Sequence, residues 1–311
     1  MSAQKILLSN GRLRLLHGPI DLTIGADGDA AALQAAHEDA WDRFQTVLAE
    51  LVQELPTLRR SIGCGAANEL QGPVARRMWE ACAPLLGASG GFITPMAAVA
   101  GAIAHEIALS YQRPGIERAW VNNGGDIALH LTPGSAVRVG LVSDLARFDA
   151  ADEARAAPLP IDGRFELPST APVRGVATSG WRGRSFSFGI ADSVTVLAAS
   201  AAAADAAATI IANCVNIDDA RIVRQPANQL KDDSDLGARP VTIDVPLLAP
   251  GLVRAALNAG LAKAAELQAA RLIDSAVLVC QQRFMTTAGF DPGCVDGPLI
   301  PVSGGALLAL H

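Results

Sequence analysis

Residues 173–215 read VRGVATSGWRGRSFSFGIADSVTVLAASAAAADAAATIIANCV. The segment 173–178 is a short apolar run, and 193–198 is a second one rich in β-branched residues, so each reads as a strand. The glycine- and arginine-rich string between them reads as a loop. The alanine-rich run 199–215 is apolar all round apart from a few positions, which is the pattern of a buried helix. Strand, strand and then helix is not the strand–helix–strand alternation of a doubly wound sheet. It favours an α+β fold with an antiparallel sheet.

Working outward, the same pairing recurs. Residues 12–16 and 20–24 flank a His-Gly-Pro turn and form a predicted hairpin. Segments 119–122, 127–131 and 137–142 read as further strands. Spacing of Leu33, Ala36, Ala40, Phe44, Leu48 and Leu51 predicts a long amphipathic helix over 29–55, ended by Pro56. A short helix is expected over 78–86. Thr94-Pro95 reads as an N-cap with proline at the first helical position, opening a buried helix that runs to about Tyr111. Toward the carboxyl end, 241–247 is a predicted strand, 252–272 a helix and 275–285 a closing strand. The connections 144–174 and 217–240 are too long to be plain connectors and are expected to be functional or mobile. No repeat of solenoid or propeller length is present, and 1–311 reads as one domain with its core over about 12–247.

Composition excludes several classes. Hydrophobic residues make up 50% and charged residues 18% of the 311, so the chain can bury a core and is not a disordered tail. The net charge of −6 and pI of about 5.4, with no basic stripe, make nucleic acid a poor partner. The only lysines are Lys5, Lys231 and Lys263, and no GxxxxGK[ST] string exists, which excludes a P-loop enzyme. Five cysteines without a CxxC pair and five histidines without HExxH imply neither a disulfide framework nor a zinc hydrolase. The cysteines read as buried free thiols. The amino terminus carries no secretory pattern. Residues 81–104 are uncharged, but Pro84, Gly87, Gly90, Gly91 and Pro95 interrupt them. They read as a buried loop entering a buried helix, and the protein as cytoplasmic and not membrane-bound.

Four short strings can carry chemistry. Asn122-Asn123-Gly124-Gly125-Asp126 lies between two strands; its glycines admit close approach to a ligand, or it is only a hairpin turn. The glycine-rich 87–95 loop presents free N–H groups at a helix start, which is an anion site or a plain turn. Thr178-Ser179-Gly180 can hold a phosphate or carbonyl, or form a local hydroxyl turn. Asp205 and Thr209, at i and i+4, share one face of the buried helix. A carboxylate there needs a partner, either an arginine or a hard cation such as Mg²⁺.

Taken together, the order NNGGDI … ATSG … ADSVTVLA … ADAAAT resembles the ApbE superfamily, whose best-known members are FAD:protein FMN transferases. The strings GFITPMAAVAGAIA (91–104), SFGIADSVTVLA (187–198) and SDLG (234–237) are most similar to its uncharacterised cytoplasmic branch. The resemblance spans about 12–247 and implies duplicated T-fold-like units around an antiparallel sheet. It also implies FAD or FMN bound by the residues matching the two turns: Asn122, Asn123, Gly124, Gly125, Asp126, Thr178, Ser179 and Gly180. Asp205 and Thr209 match ligands of Mg²⁺, with a further contact from the backbone near Thr94. The chain departs from the transferases at two places. Thr94-Pro95-Met96 stands where they carry Lys-Gly, and no His…Asp-Pro segment precedes 193–198. Asp192 is the candidate substitute base, with capping of a strand end or pairing with Arg182 or Arg184 as its structural alternative. Two readings follow: an enzyme cleaving or transferring at a phosphoanhydride, or a module that binds a nucleotide-like ligand without turnover. The small-residue helices 94–111 and 199–215 pack either within the chain or across a homodimer, and the homodimer is weakly favoured.

Overall fold

The two strands that frame the 173–215 stretch are neighbours in one large sheet. In the computed structural model, which describes residues 2–143, 162–290 and 300–301, the chain begins β1 (Gln4–Leu7), β2 (Leu13–His17), β3 (Ile20–Gly28), α1 (Ala30–Leu58), α2 (Pro73–Cys82) and α3 (Val99–Ala108). There follow β4 (Ile116–Asn123), β5 (Asp126–Leu131), β6 (Ala136–Leu141), β7 (Gly163–Pro168), β8 (Gly175–Ser179), β9 (Ser193–Ala198) and α4 (Ala201–Cys214). The rest is β10 (Val223–Pro226), α5 (Ala227–Leu230), β11 (Pro240–Asp244), α6 (Pro250–Ala269), β12 (Ser275–Cys280), β13 (Arg283–Thr286) and β14 (Ile300–Pro301).

Ten strands form one sheet in the order β1-β2-β3-β4-β5-β8-β9-β12-β13-β14, antiparallel except at β13–β14. This is the expected α+β arrangement. Side chains alternate across it with period two. Ala177, Val194, Val196, Ala276 and Leu278 face the helices and join their core. Val176, Leu197, Val277 and Val279 face the other way and are covered by the β6–β7 hairpin through Val139, Leu141, Phe165 and Leu167. The carboxyl-terminal β12 pairs with β9, so it is an inner strand of the same sheet.

Several boundaries differ from the sequence reading for identifiable reasons. Pro56 lies inside α1, which continues to Leu58. Proline's fixed φ suits a helix, and the fully buried Leu58 offsets the lost hydrogen bond. The short helix starts at Gly72-Pro73, with proline at its first position, and gives way to a 3-10 turn over Ala83–Leu85. The 95–111 helix is three pieces: a 3-10 turn (Pro95–Ala98), α3, and a second 3-10 turn (Leu109–Tyr111). The closing strand is a hairpin, because Gln281 and Gln282 take positive φ of 45° and 63° and reverse the chain. The 217–240 connection is ordered by pairing of β10 with β11. Of the 144–174 connection, β7 is described and residues 144–161 lie outside the described residues. Cys64 is exposed, against the buried expectation, while Cys82 and Cys280 are buried. Among the described residues no helix is long and apolar enough to cross a membrane.

α3 and α4 pack on each other within the chain. A Cβ at Gly101 would fall 2.2 Å from the Ala201 carbonyl oxygen and 2.9 Å from the Asp205 Cβ, so the contact requires glycine. Ser200 caps α4, its Oγ accepting from the Ala203 N–H at 3.2 Å.

Candidate functional site

The helix-covered face of the sheet opens into a cavity of about 720 Å³, a size suited to a small-molecule ligand. Its floor comes from two tight turns and one helix face. At the end of β4, Gly124 and Gly125 take φ of 66° and 113°, the left-handed backbone of a two-residue hairpin turn. Asn122 Oδ1 accepts from the Gly125 N–H at 2.8 Å. Asn123 is buried and donates from Nδ2 to the Ala100 carbonyl at 3.1 Å, which ties the turn to α3. The hairpin and the functional readings are therefore compatible. The turn delivers Asp126, the first residue of β5, to the cavity wall.

Asp126 is 8% exposed. Its Oδ1 accepts from the Thr178 N–H at 3.2 Å, linking the first turn to the second. Across the cavity, α4 presents Asp205 and Thr209 on one face. Asp205 Oδ2 accepts from the Gly101 N–H at 2.9 Å, and the Ala100 N–H adds a second bond. The first backbone donors of α3 are thus already turned onto a carboxylate of this chain.

Burial raises the proton affinity of both carboxylates, and the Asp205 charge adds to the effect at Asp126. Burial, and then the Asp205 charge, hold Asp126 well above the ordinary carboxylate range, against the opposing Thr178 N–H and the Arg184 charge. Burial pushes Asp205 up to about 7, which the Gly101 and Ala100 N–H groups only partly offset. No arginine or lysine is hydrogen-bonded to either group among the described residues. Two buried carboxylates and a threonine hydroxyl facing one cavity are the oxygen set that a hard divalent cation takes. Among the described residues no group of three or more His, Cys, Asp or Glu could hold a metal, so such an ion would complete its shell with hydroxyl, carbonyl, water or ligand oxygens.

Of the residues singled out from sequence, Thr94, Gly124, Asp126, Thr178, Ser179, Gly180, Asp205 and Thr209 line this cavity together. Asn122, Asn123 and Gly125 shape its turn from behind. Thr94 does not cap a helix with its side chain; its Oγ1 hydrogen-bonds Asp235 Oδ2. Asp192 is not among the lining residues. Its Oδ1 accepts from Trp181 Nε1 at 3.3 Å and its Oδ2 from the Gln281 N–H, fastening the 180–192 loop to the β12–β13 turn. These two contacts are structural ones, of the kind weighed for Asp192 as the alternative to a base.

The sequence reading missed the rim. Phe92 lies under Arg239, whose Cζ is 3.3 Å from the ring centroid. Asp233 pairs with Arg59 at 2.6 Å, and Phe186, Phe188, Arg182 and Arg184 complete the wall. Asn213 Oδ1 accepts from Ser187 Oγ and the Phe188 N–H, holding that loop against α4. The signals available were the length of the 217–240 connection and, for Asp235, the SDLG string at 234–237.

A family model described as "AbpE bacteria" matches residues 4–288. The chain belongs to this ApbE-like family. A UPF0280 protein of Methanopyrus kandleri is 36% identical over 230 residues, covering 71% of this chain and 81% of that protein. A UPF0280 protein of Methanospirillum hungatei is 40% identical over 130 residues, covering 41% of this chain and 47% of that one; against this and similar relatives the match spans about half of their length. Among solved structures, a mutant of the flavin transferase ApbE from Vibrio cholerae aligns with 93% of this chain and 99% of its own. Its TM-score is 0.50 at 12% identity, a likeness of fold. This ApbE-like chain therefore shares the architecture of that flavin transferase.

Proposed function

We propose that this ApbE-like chain binds a phosphate-bearing, nucleotide-like ligand, in the first instance FAD or FMN, together with Mg²⁺, and acts on a phosphoanhydride of that ligand. The observation that carries the reading is the buried Asp126–Asp205 pair facing an open cavity beside Thr209. Burying two like charges without a cation costs several kcal/mol, and such expense concentrates at functional sites. Asp205, Thr209 and Asp126 would hold the ion, which supplies neutralisation of negative charge on phosphate. The rim cations Arg182, Arg184 and Lys231 attract an anionic ligand. Phe92, Phe186 and Phe188 offer apolar surface to a planar ring. Thr178 and Ser179 offer hydroxyls for its polar edge. The flavin assignment is supported by the likeness in fold to the flavin transferase of Vibrio cholerae.

A second reading, binding without turnover, is favoured by one observation: the described lining contains neither histidine nor cysteine, and Asp192 lies elsewhere. Calorimetric titration of the protein with FAD, with and without Mg²⁺, tests binding in the wild type and in Asp205→Ala. Mg²⁺-dependent affinity that disappears in the variant supports the proposal. FAD affinity indifferent to both Mg²⁺ and the substitution refutes it. Chromatographic detection of FMN and AMP from FAD separates turnover from binding.

A further inference from the structure

Asn213 carries hydrogen-bonding capacity that the function proposed above does not use. Asp205, Thr209 and Asn213 follow one another at i, i+4 and i+8 on α4, so they share one side of the helix, and all three line the cavity. At the rise of an α-helix, Asn213 lies about 6 Å beyond Thr209 along the axis. Its amide is fixed in orientation. The Phe188 N–H, at 2.9 Å, and the Ser187 hydroxyl, at 3.1 Å, both need an acceptor, and Oδ1 is the atom they find. Ser187 Oγ itself accepts from the Gly189 N–H at 3.1 Å, which leaves its hydrogen for Asn213. On its other side the Phe188 carbonyl accepts from Asn216 Nδ2 at 3.2 Å, so the loop that locks the amide is itself held. The Nδ2 group keeps two N–H donors without an acceptor among the described residues, and it stays accessible rather than sealed in the core. Phe188 and Ile210 supply apolar wall to the same cavity.

We propose that Asn213 is a specificity-determining residue, which donates to a ring carbonyl oxygen of the ligand and disfavours a ring edge bearing an amino group. The inference rests on the reading of Asp205 and Thr209 as the cation and phosphate end of the cavity. A ligand whose phosphate sits there and which extends along α4 brings its ring, one sugar or sugar-alcohol chain away, to Asn213. Because the loop occupies Oδ1, the amide offers donors alone at that point. A carbonyl oxygen accepts from them. An exocyclic amino group presents donors of its own, and both sides are left unpaired. The ligand class is therefore a phosphate-bearing derivative of an oxo-substituted planar ring, of which the dione edge of a flavin is one example.

Two nucleotides that differ at this edge test the inference. IDP and ADP share their ribose and diphosphate, but the ring of one carries a carbonyl where the other carries an amino group. Full-length wild type, Asn213→Asp and Asn213→Ala are titrated calorimetrically with IDP, ADP and FMN at saturating Mg²⁺, with circular dichroism melts to establish folding. Wild type is expected to bind IDP about tenfold more tightly than ADP, one hydrogen bond made against one set of facing donors. Asn213→Asp keeps an oxygen for the Phe188 N–H and the Ser187 hydroxyl and exchanges the donors for an acceptor, so it turns the preference towards ADP. Its added charge weakens both nucleotides alike and cancels in the ratio. Asn213→Ala brings the ratio to about one and weakens FMN about tenfold. A merely structural role would weaken all three ligands and leave the ratio as in wild type. A wild-type ratio at or below one, or a ratio unmoved in a folded variant, overturns the inference; if neither variant folds, the wild-type ratio decides. If FMN alone binds, an FMN affinity unchanged in Asn213→Ala overturns it. In each of these cases Mg²⁺-dependent binding to wild type leaves the phosphate-ligand reading standing. If none of the three ligands binds to wild type, that reading falls and this inference with it.

Discussion

Replacing Asp205 by asparagine should make the metal-free protein more stable, and only above acidic pH. Asp205 has an ordinary value of 3.8 and is pushed by burial to about 7 in the folded chain. Between those values the folded chain keeps a proton that the unfolded chain has released. Stability is therefore fully present below about pH 4, falls as pH rises, and is fully lost above about pH 7. The shift corresponds to about 4 kcal/mol. Asp205 faces the cavity, where water screens it, and about 2–3 kcal/mol is the expected residue of that penalty. Asparagine keeps an oxygen for the Gly101 N–H and never ionises, and it removes the like charge from beside Asp126. At pH 8 without divalent ions, Asp205→Asn should melt about 3–5 °C above wild type, taking the entropy of unfolding of a chain of this size. At pH 4 the two should melt together. Added Mg²⁺ should raise the melting temperature of wild type and leave the variant unmoved. The assay is a calorimetric or circular dichroism melt across pH 4–8 with EDTA or Mg²⁺. A folded variant that melts at or below wild type at pH 8 would show that the carboxylate pair carries no stored penalty, and the reasoning would be refuted.

Two further substitutions probe the frame of the site. Gly101→Ala places a methyl group 2.2 Å from the Ala201 carbonyl oxygen; separating α3 from α4 should cost about 3 kcal/mol in urea denaturation and weaken Mg²⁺ binding by moving Asp205, whereas a midpoint equal to wild type would contradict the close packing. Asp192→Ala leaves the Trp181 Nε1 and Gln281 N–H donors without this acceptor; it should lose about 2 kcal/mol of stability and change Trp181 fluorescence while Mg²⁺ and FAD affinities stay as in wild type, and a loss of affinity without a loss of stability would return Asp192 to the working groups.

How much of this was legible in the sequence varies with the range of the contacts involved. β9 was bounded correctly, because Ser193–Ala198 is set by residues a few positions apart and bounded by a loop and a capped helix. Asp205 and Thr209 were legible for the same reason: four residues on a helix is one face. Asp126 was legible through the chemistry of its turn, since Asn-Gly-Gly fixes where the next residue points. The closing hairpin was not, because Gln281 and Gln282 adopt positive φ without any glycine to announce it. The order within 217–240 was also invisible locally. Besides the β10–β11 pairing, it is held by the Arg59–Asp233 pair and the Phe92–Arg239 stack, which join residues far apart in sequence. The contact of Asp192 was also illegible, because a position before a strand says nothing of the distant Gln281 N–H that its carboxylate accepts from.

The helix start at Thr94-Pro95 carries the same lesson into the chemistry of the cavity. A free helix N-terminus would attract a phosphate. Here the first turn is a 3-10 turn over Pro95–Ala98, and α3 proper begins at Val99. Its leading donors at Ala100 and Gly101 point at Asp205. The glycine that permits this is also the one that lets α4 approach, so the small-residue contact and the carboxylate's position have a single cause. The positive end of α3 is consumed in tempering a negative charge of the protein itself. An arriving phosphate must therefore find its positive charge among the rim arginines, Lys231 and a bound cation. That is why substitutions at Arg184 and Asp205, rather than at Thr94, are the ones expected to move ligand affinity most.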